Sequence, residues 1–366
     1  MPRTKVLLLA RGLGPGGMER LLVNQVRFGD RTRFDHAVAF ITPAKDQLVP
    51  EFEELGVPVH WLSGGGRLWP VNLSDLLRRG GFDVVHVHSP LPAAVVRLLA
   101  RTVRPRPRIV YTEHNSWGPY HPLTRKANAW TYRLDDAQIA VSRDAWSSVP
   151  EGLRGRLEVL DHGIDLDAVR AHRAHRAEAR RRLGVDDDTV VVGTVANFRP
   201  EKNYEGWLRV ADTVTADRPG VQFVSIGQGP LLEEMRSRAS TAGLSGRVDL
   251  LGHQPDAPAL MAGFDVFTMA SHWEGLPVAF MEARALGLPV VTTAVGGLVD
   301  HVREGVDGLL VPAGDEAALA AALGRVVDDE GLRGRLAAAS AAAADAFDAR
   351  VAVAAIEERF TPSPVL

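Results

Sequence analysis

The chain has 366 residues, no cysteine and a formal net charge of -3, with 46% hydrophobic and 24% charged residues. This length suggests two domains or one large one, and a chain of this size buries a core without covalent staples. The lack of cysteine excludes disulfides, thiolate metal sites and a cysteine nucleophile. The near-balanced charge argues against nucleic acid as a partner, which would call for a strongly basic domain.

The first apolar run, residues 6–10, lies close to the N-terminus. It is shorter than the roughly 7–15 apolar residues of a signal-peptide core. No stretch approaches the roughly 18 apolar residues of a membrane span. We therefore interpret the run as a buried first strand and expect a cytoplasmic protein.

Short apolar runs alternate with helical patterns in two series. The first series comprises 6–10, 37–41, 84–88, 109–112 and 139–141. The second comprises 190–195, 221–226, 248–251, 266–269, 289–293 and 308–311. Most runs are continuously apolar, which is typical of parallel strands covered on both faces. The alternation of strands and helices predicts an α/β protein with two doubly wound, Rossmann-like sheets.

A break near Asp165 separates the two series. We expect an N-terminal Rossmann-like domain at 1–165 and a C-terminal Rossmann-like domain at 166–345 that face each other across a cleft. Ligands of such sheets bind at the carboxyl ends of the strands, where the strand-to-helix loops gather.

The first loop carries a glycine motif. Gly12, Gly14 and Gly17 match G-x-G-x-x-G between a strand and a helix, the context of a dinucleotide fingerprint. NAD binding also requires an acid at the end of the second strand, and 37–41 is followed by none. Two interpretations stay open: a glycine loop that lets backbone approach a ligand, or a tight turn only.

The strongest local signal lies at 271–289, SHWEGLPVAFMEARALGLP. Pro277 is typical of a helix start and Gly287 of its end, so Glu274 precedes the helix and Glu282 lies inside it. The free backbone N–H groups at the start of this helix could hold a diphosphate, while both carboxylates could accept hydrogen bonds from sugar hydroxyls. Alternatively, Glu274 interacts with the helix dipole and Glu282 is solvated, although its apolar neighbours favour a buried, paired carboxylate. The N–H groups in question belong to Gly275, Leu276 and Val278.

Two cations follow the first strand of the second series. Arg199 and Lys202 lie where they could neutralise a leaving diphosphate, and the alternative is a solvated loop in which Glu201 is their partner. A further strand–glycine–helix junction at Gly227 and Gly229 could pack against a nucleotide.

Histidines cluster in the first series. His86 and His88 share one face of a strand, and we expect them to form hydrogen bonds in the core or cleft rather than to hold a metal. His114 follows another strand in a polar loop, and it is the histidine we most expect to be functional.

Metal and membrane signals are weak. The pairs Asp165-x-Asp167 and Asp186-x-Asp188 match D-x-D, but the first is typical of a helix cap and the second of an exposed turn. We therefore expect no metal site. The arginine-rich run 101–108 is interpreted as a solvated basic turn, with weak peripheral membrane contact as the alternative.

Together these segments resemble the family 4 retaining glycosyltransferases, which have the GT-B fold. The resemblance covers nearly the whole chain, and the two glutamates with the ALGLP tail are its most specific element. One departure is His162, where the family commonly has asparagine. The matching segments are 16–20 (GGMER), His88, His114, 140–143 (AVSR), 162–165 (HGID), Arg199, Lys202, 227–230 (GQGP) and 274–282 (EGLPVAFME).

The resemblance implies a role for each matching residue. Arg199 and Lys202 would hold the nucleotide diphosphate, and Glu282 would bind the ribose hydroxyls. Glu274 would bind hydroxyls of the donor sugar, which His114 would contact near the reacting carbon. A C-terminal helix within 346–366 would pack back on the N-terminal domain. The remaining positions are glycines or backbone near the nucleotide and its phosphates: Gly16, Gly17, Gly227, Gly229, Gly275, Leu276, Pro277 and Val278.

The resemblance thus predicts a retaining, metal-independent hexosyltransferase with no cofactor beyond its co-substrate. It would move a hexose or N-acetylhexosamine from a UDP- or GDP-sugar to a hydroxyl of a glycan, lipid-linked or small natural-product acceptor. Loops 64–70 and 111–123 are the candidate acceptor loops. The alternatives are a nucleotide-sugar 2-epimerase of the same fold, a non-catalytic nucleotide-sugar-binding protein and, last, an NAD dehydrogenase. Donor base, donor sugar, acceptor and oligomeric state stay open.

Overall fold

A computed structural model of the protein describes residues 2–64, 68–118 and 120–361. The chain forms two compact units. Unit 1 combines the chain up to Ile164 with the segment from Asp348 onward, and unit 2 comprises Asp165–Phe347. Parts of both candidate acceptor loops, residues 65–67 and Pro119, lie outside the described residues, as do residues 362–366 of the predicted C-terminal helix segment.

Unit 1 is built on a seven-stranded sheet in which every pairing is parallel. The strands are β1 Thr4–Ala10, β2 Phe34–Phe40, β3 Val59–Trp61, β4 Val84–Val87, β5 Arg108–Glu113, β6 Ala137–Ala140 and β7 Leu157–Val159. Their order is β3-β2-β1-β4-β5-β6-β7. The order reverses between β1 and β4, and ligands of open α/β sheets bind outside the carboxyl ends of strands at such a point.

Helices cover both faces of this sheet. They are α1 Gly17–Phe28, α2 Val49–Glu54, α3 Trp69–Gly80, α4 Pro90–Leu99, α5 Pro122–Thr131 and α6 Arg143–Ser148. Leu22 of α1 and Phe52 of α2 belong to the core on one face. Leu73 of α3, Val96 of α4 and Ala145 of α6 belong to the core on the other.

Unit 2 repeats the plan with six parallel strands. They are β8 Val190–Val195, β9 Val221–Ile226, β10 Val248–Leu250, β11 Val266–Met269, β12 Val290–Thr293 and β13 Gly308–Val311. Their order is β10-β9-β8-β11-β12-β13, so the reversal falls between β8 and β11. The segments that follow these two strands therefore start at the same sheet edge.

The helices of unit 2 are α7 Leu166–Ala171, α8 Arg176–Leu183, α9 Tyr204–Thr215, α10 Leu232–Thr241, α11 Ala257–Met261, α12 Val278–Leu286, α13 Gly297–His301, α14 Glu316–Asp328 and α15 Glu330–Ala343. The first two of these helices, α7 and α8, are joined by a 3-10 turn at His172–His175. Asp165 caps α7 by accepting a hydrogen bond from the Ala168 N–H at 3.0 Å, which confirms the capping interpretation of the first D-x-D.

The last helix, α16 Ala349–Glu358, belongs to unit 1 and packs on α1. The Ala349 N–H donates to the Ile164 carbonyl at 3.0 Å, where the chain re-enters unit 1. The Phe360 ring then packs edge-on against Phe34 and His86, with ring centroids 5.5 Å apart in both pairs. Among the described residues, no helix is long and apolar enough to cross a membrane.

The prediction of an α/β protein with two parallel, doubly wound sheets is confirmed. Each of the eleven predicted apolar runs overlaps a strand of the structure. Two strands were not predicted, β3 and β7, which lie at the two edges of the unit 1 sheet. Each has three residues, and its partly exposed side chains leave no continuous apolar run to detect.

Candidate functional site

The centre of the candidate site in unit 2 is an ion pair between Lys202 and Glu274. Lys202 ends a 3-10 turn that follows β8, and Glu274 lies in the loop that follows β11. The Lys202 Nζ lies 2.6 Å from both carboxylate oxygens of Glu274. The Ser271 hydroxyl donates a third hydrogen bond to Glu274 Oε1 at 2.7 Å. The structure thus joins two predicted site residues and makes Glu274, rather than Glu201, the partner of Lys202.

Backbone contacts hold the two loops of this pair together. The His272 N–H donates to the Glu201 carbonyl at 2.8 Å, which ties the loop after β11 to the turn after β8. The Thr293 hydroxyl, at the end of β12, donates to the Ser271 carbonyl at 2.7 Å. The carboxylate of Glu274 is therefore positioned by three consecutive strands of the sheet.

A glycine pair after β12 packs against the backbone of the loop that carries Glu274. The Gly297 N–H donates to the Gly275 carbonyl at 2.6 Å. Gly296 has a φ of +54°, and a Cβ there would lie 2.3 Å from the Glu274 carbonyl oxygen. No larger side chain fits. We did not predict a role for Ser271 or for this glycine pair, although AVGG directly after an apolar run was a visible signal of a close backbone approach.

The helix that follows Glu274 begins as expected at Pro277. Pro277 is the N-terminal cap of α12, and the partly exposed Val278 is its first residue. The first N–H groups of an α-helix have no partner within the helix, so they can bind an anion. Gly275 and Leu276 are buried in the preceding loop.

Glu282 lies in the second turn of α12 and is half-buried. This differs from the burial that its apolar neighbours suggested. Residues 280, 281 and 283–286 carry the buried face, and Glu282 lies at the border of that face. The charge buried in this helix is instead Arg284, which donates to Asp307 Oδ1 at 2.8 Å and anchors α12.

Arg199 does not join the Lys202–Glu274 pair. It is exposed, in extended conformation before the 3-10 turn. Within the part of the chain that the structure describes, its guanidinium makes no ion pair. A cation held near the site without a protein partner is available to an anionic ligand.

Gly227 and Gly229 lie against the loop that leads to Arg199. The Phe198 N–H donates to the Gln228 carbonyl at 2.8 Å. A Cβ at Gly227 would lie 1.9 Å from the Ala196 carbonyl oxygen, and one at Gly229 would lie 2.4 Å from the Phe198 carbonyl oxygen. Glycine is therefore required at both positions for the loops after β8 and β9 to pack together.

The predicted site residues of unit 1 lie at the carboxyl ends of its strands. Gly16 caps the N-terminus of α1, and Gly17 is the first residue of that helix. A Cβ at Gly16 would meet the Glu19 carboxylate at 2.3 Å. The Glu19 carboxylate therefore lies against Gly16 at the start of α1, and only a residue without a Cβ fits beneath it.

His114 directly follows β5 and pairs with another histidine. Its Nε2 lies 3.0 Å from Nδ1 of His88, which directly follows β4. Burial, reinforced by the neighbouring imidazoles, lowers the pKa of His114 and of His88 well below the usual range. Both rings are thus neutral near pH 7, so one nitrogen of the pair donates and the other accepts.

His86 is part of the core and not of a metal pair. Its Nδ1 lies 3.1 Å from the Gln25 amide nitrogen and its Nε2 lies 2.7 Å from the Thr112 hydroxyl. Burial lowers the pKa of His86 to about 3. This confirms the expectation that His86 and His88 form hydrogen bonds. Across the described ranges, no group of three or more histidines and carboxylates is arranged to hold a metal ion.

Beside these rings is a small cavity of about 30 Å³, the volume of one water molecule. His88, His114 and His162 contribute to its wall. The Nε2 of His88 is buried and makes no hydrogen bond to any described residue. His162, the departure from the family pattern, therefore lines the same cavity as the histidine that we expect to be functional.

A buried carboxylate organises the loop that carries His114. Glu113 accepts hydrogen bonds from the Trp117 indole at 2.6 Å, the Tyr111 hydroxyl at 3.1 Å and the Tyr120 hydroxyl. Burial raises the pKa of Glu113 to about 7, and these three donors limit the rise. Glu113 could not be singled out in the sequence, because its three donors are brought to it by the conformation of the loop.

Comparisons with known proteins cover both units. Residues 15–168 match the family model described as Glycosyltransferase Family 4. Residues 175–342 match the family model described as Glycosyl transferases group 1. Together the two matches cover most of the chain.

Several curated glycosyltransferases are similar to this chain over most of their length. The 2-deoxystreptamine N-acetyl-D-glucosaminyltransferase of Streptomyces fradiae is 36% identical over 352 residues, covering 89% of this chain and 82% of the relative. A lipopolysaccharide core mannosyltransferase, LpsB of Rhizobium meliloti, is 31% identical over 84% of this chain and 88% of the relative. The UDP-Gal:α-D-GlcNAc-diphosphoundecaprenol α-1,3-galactosyltransferase of Escherichia coli is 26% identical over 71% and 70%.

Solved structures confirm the fold. HepE of Anabaena, in complex with UDP-glucose, superposes with a TM-score of 0.87 at 22% identity, covering 97% of this chain and 99% of that one. WaaG, from lipopolysaccharide biosynthesis, gives a TM-score of 0.77 at 15% identity over 98% and 100%. The fold is therefore GT-B. Two family models match, and a relative is 36% identical over 89% of this chain and 82% of its own length, so the chain belongs to glycosyltransferase family 4.

Proposed function

We propose that this glycosyltransferase transfers a hexose or N-acetylhexosamine from a UDP-sugar to an acceptor hydroxyl, with retention of configuration. The Lys202–Glu274 pair carries the proposal, because it sets a cation and an oriented carboxylate at the switch point of the unit 2 sheet. A UDP donor is supported by the relative named for UDP-Gal and by HepE, which was solved with UDP-glucose.

Lys202 and Arg199 are proposed to bind the donor diphosphate. Lys202 now shares its ammonium with Glu274, and the three donors of an ammonium allow it to keep that bond while it binds a phosphate. Arg199 is exposed and would add a second cation. The N-terminus of α12 would contact the same phosphates through the backbone of Gly275, Leu276, Pro277 and Val278.

Glu274 and Glu282 are proposed to accept hydrogen bonds from sugar hydroxyls. Glu274 would bind the donor hexose, with Lys202 and Ser271 fixing its orientation. Glu282, half-buried in α12, would bind the ribose. On the family resemblance, His114 would contact the donor sugar near the reacting carbon. Four glycines, Gly16, Gly17, Gly227 and Gly229, would allow backbone to approach the nucleotide.

The chemical step breaks the bond between the anomeric carbon and the diphosphate oxygen. Negative charge grows on the leaving phosphate, and preorganised donors such as Lys202, Arg199 and the start of α12 stabilise it. Retention follows if the acceptor attacks from the face that the phosphate leaves, with a phosphate oxygen taking the acceptor proton. We propose that these cations serve in place of a divalent metal and that no further cofactor takes part.

Turnover with a panel of donors tests the proposal. UDP-, GDP- and TDP-sugars are offered with aminocyclitol, glycan and lipid-linked acceptors, and released nucleotide and product are measured with and without EDTA. We expect UDP release and a glycosylated product only when an acceptor is present, unchanged by EDTA, with the donor's anomeric configuration in the product. A donor that is isomerised without an acceptor, or binding without turnover on any acceptor, would contradict the proposal.

A further inference from the structure

The Glu274 carboxylate has a limited number of positions that can accept a hydrogen bond. A carboxylate has two oxygens and about four lone-pair sites in all. The Lys202 Nζ lies 2.6 Å from both Oε1 and Oε2, so the ammonium lies symmetrically between the two oxygens and occupies one lone pair of each. The Ser271 hydroxyl, 2.7 Å from Oε1, occupies the second lone pair of that oxygen. One acceptor position therefore remains, on Oε2.

This last position is not taken by another part of the protein. Among the residues that the structure describes, Lys202 and Ser271 are the only donors to the Glu274 carboxylate. Tyr204 lies close enough to be affected: burial raises its pKa, and the charge of Glu274 adds to the rise. The Tyr204 hydroxyl nevertheless donates its proton to the Ala196 carbonyl at 2.7 Å. Oε2 therefore keeps one lone pair for a ligand.

Burial makes the remaining position selective. The Glu274 side chain is 6% exposed, and Ser271 is 1% exposed. A buried acceptor that is left without a donor loses its hydration and gains nothing in return. A site built to bind a substrate hydroxyl for this reason rejects an analogue that lacks the hydroxyl. The one open lone pair of Oε2 is therefore a strong criterion for the group that lies against it.

The backbone that carries Ser271 is held in place on both sides. Its own carbonyl accepts a hydrogen bond from the Thr293 hydroxyl at 2.7 Å. The N–H of the next residue, His272, donates to the Glu201 carbonyl at 2.8 Å. Because these contacts fix the segment, the Ser271 hydroxyl stays beside the Glu274 carboxylate, and the open position of Oε2 points in a constant direction.

We propose that Ser271 limits Glu274 to a single hydroxyl of the donor hexose and thereby determines which hexose is accepted. Lys202 lies against both oxygens, so Glu274 cannot bind two neighbouring hydroxyls with one oxygen each. Ser271 fills the second lone pair of Oε1, which leaves Oε2 as the only acceptor. A donor that lacks the matching hydroxyl, or carries it in the inverted configuration, leaves a buried acceptor unpaired. This role rests on the proposed function, in which Glu274 binds the donor hexose.

Removal of the Ser271 hydroxyl should widen what Glu274 accepts. In Ser271→Ala the carboxylate keeps the Lys202 ammonium and regains a lone pair on Oε1. The lost oxygen atom also leaves room for the carboxylate to turn. Glu274 can then pair with water or with a different hydroxyl, so a missing hydroxyl on the donor lowers the affinity less than it does in the wild type.

Isothermal titration calorimetry with deoxy donors tests this role and requires no acceptor. The full chain is titrated with whichever of UDP-glucose, UDP-galactose and UDP-N-acetylglucosamine it binds most tightly. It is then titrated with analogues in which each hexose hydroxyl is replaced in turn by hydrogen. We expect Ser271→Ala to reduce the loss of affinity for one analogue from about tenfold or more to about threefold or less, with the other analogues unchanged. Ser271→Thr, which keeps a hydroxyl, should restore the losses seen with the wild type.

Ser340→Ala is the matched control, because Ser340 is a fully buried serine of unit 2 whose hydroxyl makes no hydrogen bond to any described residue. It should leave every Kd unchanged, and thermal melting shows that each variant is folded. If Ser271→Ala changes the affinity for all analogues alike, for two neighbouring hydroxyls or for none, the proposal is overturned. Hydroxyl-selective binding of a UDP-hexose without transfer to any acceptor would contradict the proposed function alone. A wild type that binds no UDP-hexose more tightly than UDP would overturn the role of Ser271.

Discussion

Replacing Lys202 distinguishes what the Lys202–Glu274 pair contributes to stability from what it contributes to catalysis. Lys202→Met removes the ammonium and keeps a stem of similar length. Glu274, whose side chain is 6% exposed, then keeps only the hydrogen bond from Ser271. Breaking a buried ion pair by removing one partner costs about 3–5 kcal/mol. We expect the lower end, about 3 kcal/mol, because the Lys202 side chain is 18% exposed and water can reach the carboxylate.

Differential scanning calorimetry measures the loss of stability, and turnover assays measure the loss of catalysis. A loss of about 3 kcal/mol lowers the melting temperature of a unit of this size by about 6–12 °C. Loss of one donor to the leaving phosphate lowers kcat by about 10²–10³-fold. The double variant Lys202→Met with Glu274→Gln removes the uncompensated charge, so it should melt within a few degrees of the wild type while kcat stays low.

The double variant distinguishes an ion pair with a catalytic role from one that only stabilises the fold. If it recovers both stability and turnover, the pair is only structural and the site assignment is wrong. If Lys202→Met alone melts and turns over like the wild type, the ion pair has no role in solution.

Three further predictions follow from single contacts. Gly296→Ala should cost more than about 1–3 kcal/mol of strain and should lower turnover, because the new Cβ meets the Glu274 carbonyl. Gly314→Ala is the control: its φ is +81° but the space around it is open, so it should lower stability only. The melting temperature and kcat of the two variants check this. Glu113→Gln should flatten the pH dependence of melting. Burial raises the pKa of Glu113 from 4.5 to about 7, so between these pH values the folded chain keeps a proton that the unfolded chain releases. The protonated carboxyl therefore contributes about 3 kcal/mol of stability below pH 4.5, and this contribution is lost as the pH rises from 4.5 to 7. An unchanged slope between pH 4.5 and 7 would show that this carboxyl is not buried in solution. His88→Phe keeps an aromatic ring but removes the partner of His114 Nε2, and we expect kcat to fall about tenfold to a hundredfold with little change in donor KM; a change in KM alone would instead place His88 in donor binding.

The fold could be predicted because buried parallel strands leave continuous apolar runs. β9 and β11 occupy the predicted residues without shift. The missing strands, β3 and β7, are short edges that bury few side chains, so their sequences resemble loops. The alternation of strands and helices predicted doubly wound sheets but no strand order, because such sheets occur with more than one order.

The site was only partly predictable, because its decisive contacts join distant parts of the chain. Lys202 and Glu274 were each singled out by position after a strand, but their pairing spans 72 residues and depends on β8 and β11 being neighbours. Glu282 has apolar neighbours in the sequence but lies at the border of the buried face of α12, so it is only half-buried. Glu113 and Gly296 were missed because a single sequence does not show where loops contact each other.

The most direct test of the account compares the binding of UDP with that of uridine by isothermal titration calorimetry, with EDTA present, in the wild type and in Lys202→Met. If Lys202 holds the donor diphosphate, the wild type binds UDP more tightly than uridine, and Lys202→Met reduces that preference about tenfold or more, as expected for a charged hydrogen bond. A preference for UDP that is the same in both proteins would show that Lys202 does not bind the donor diphosphate.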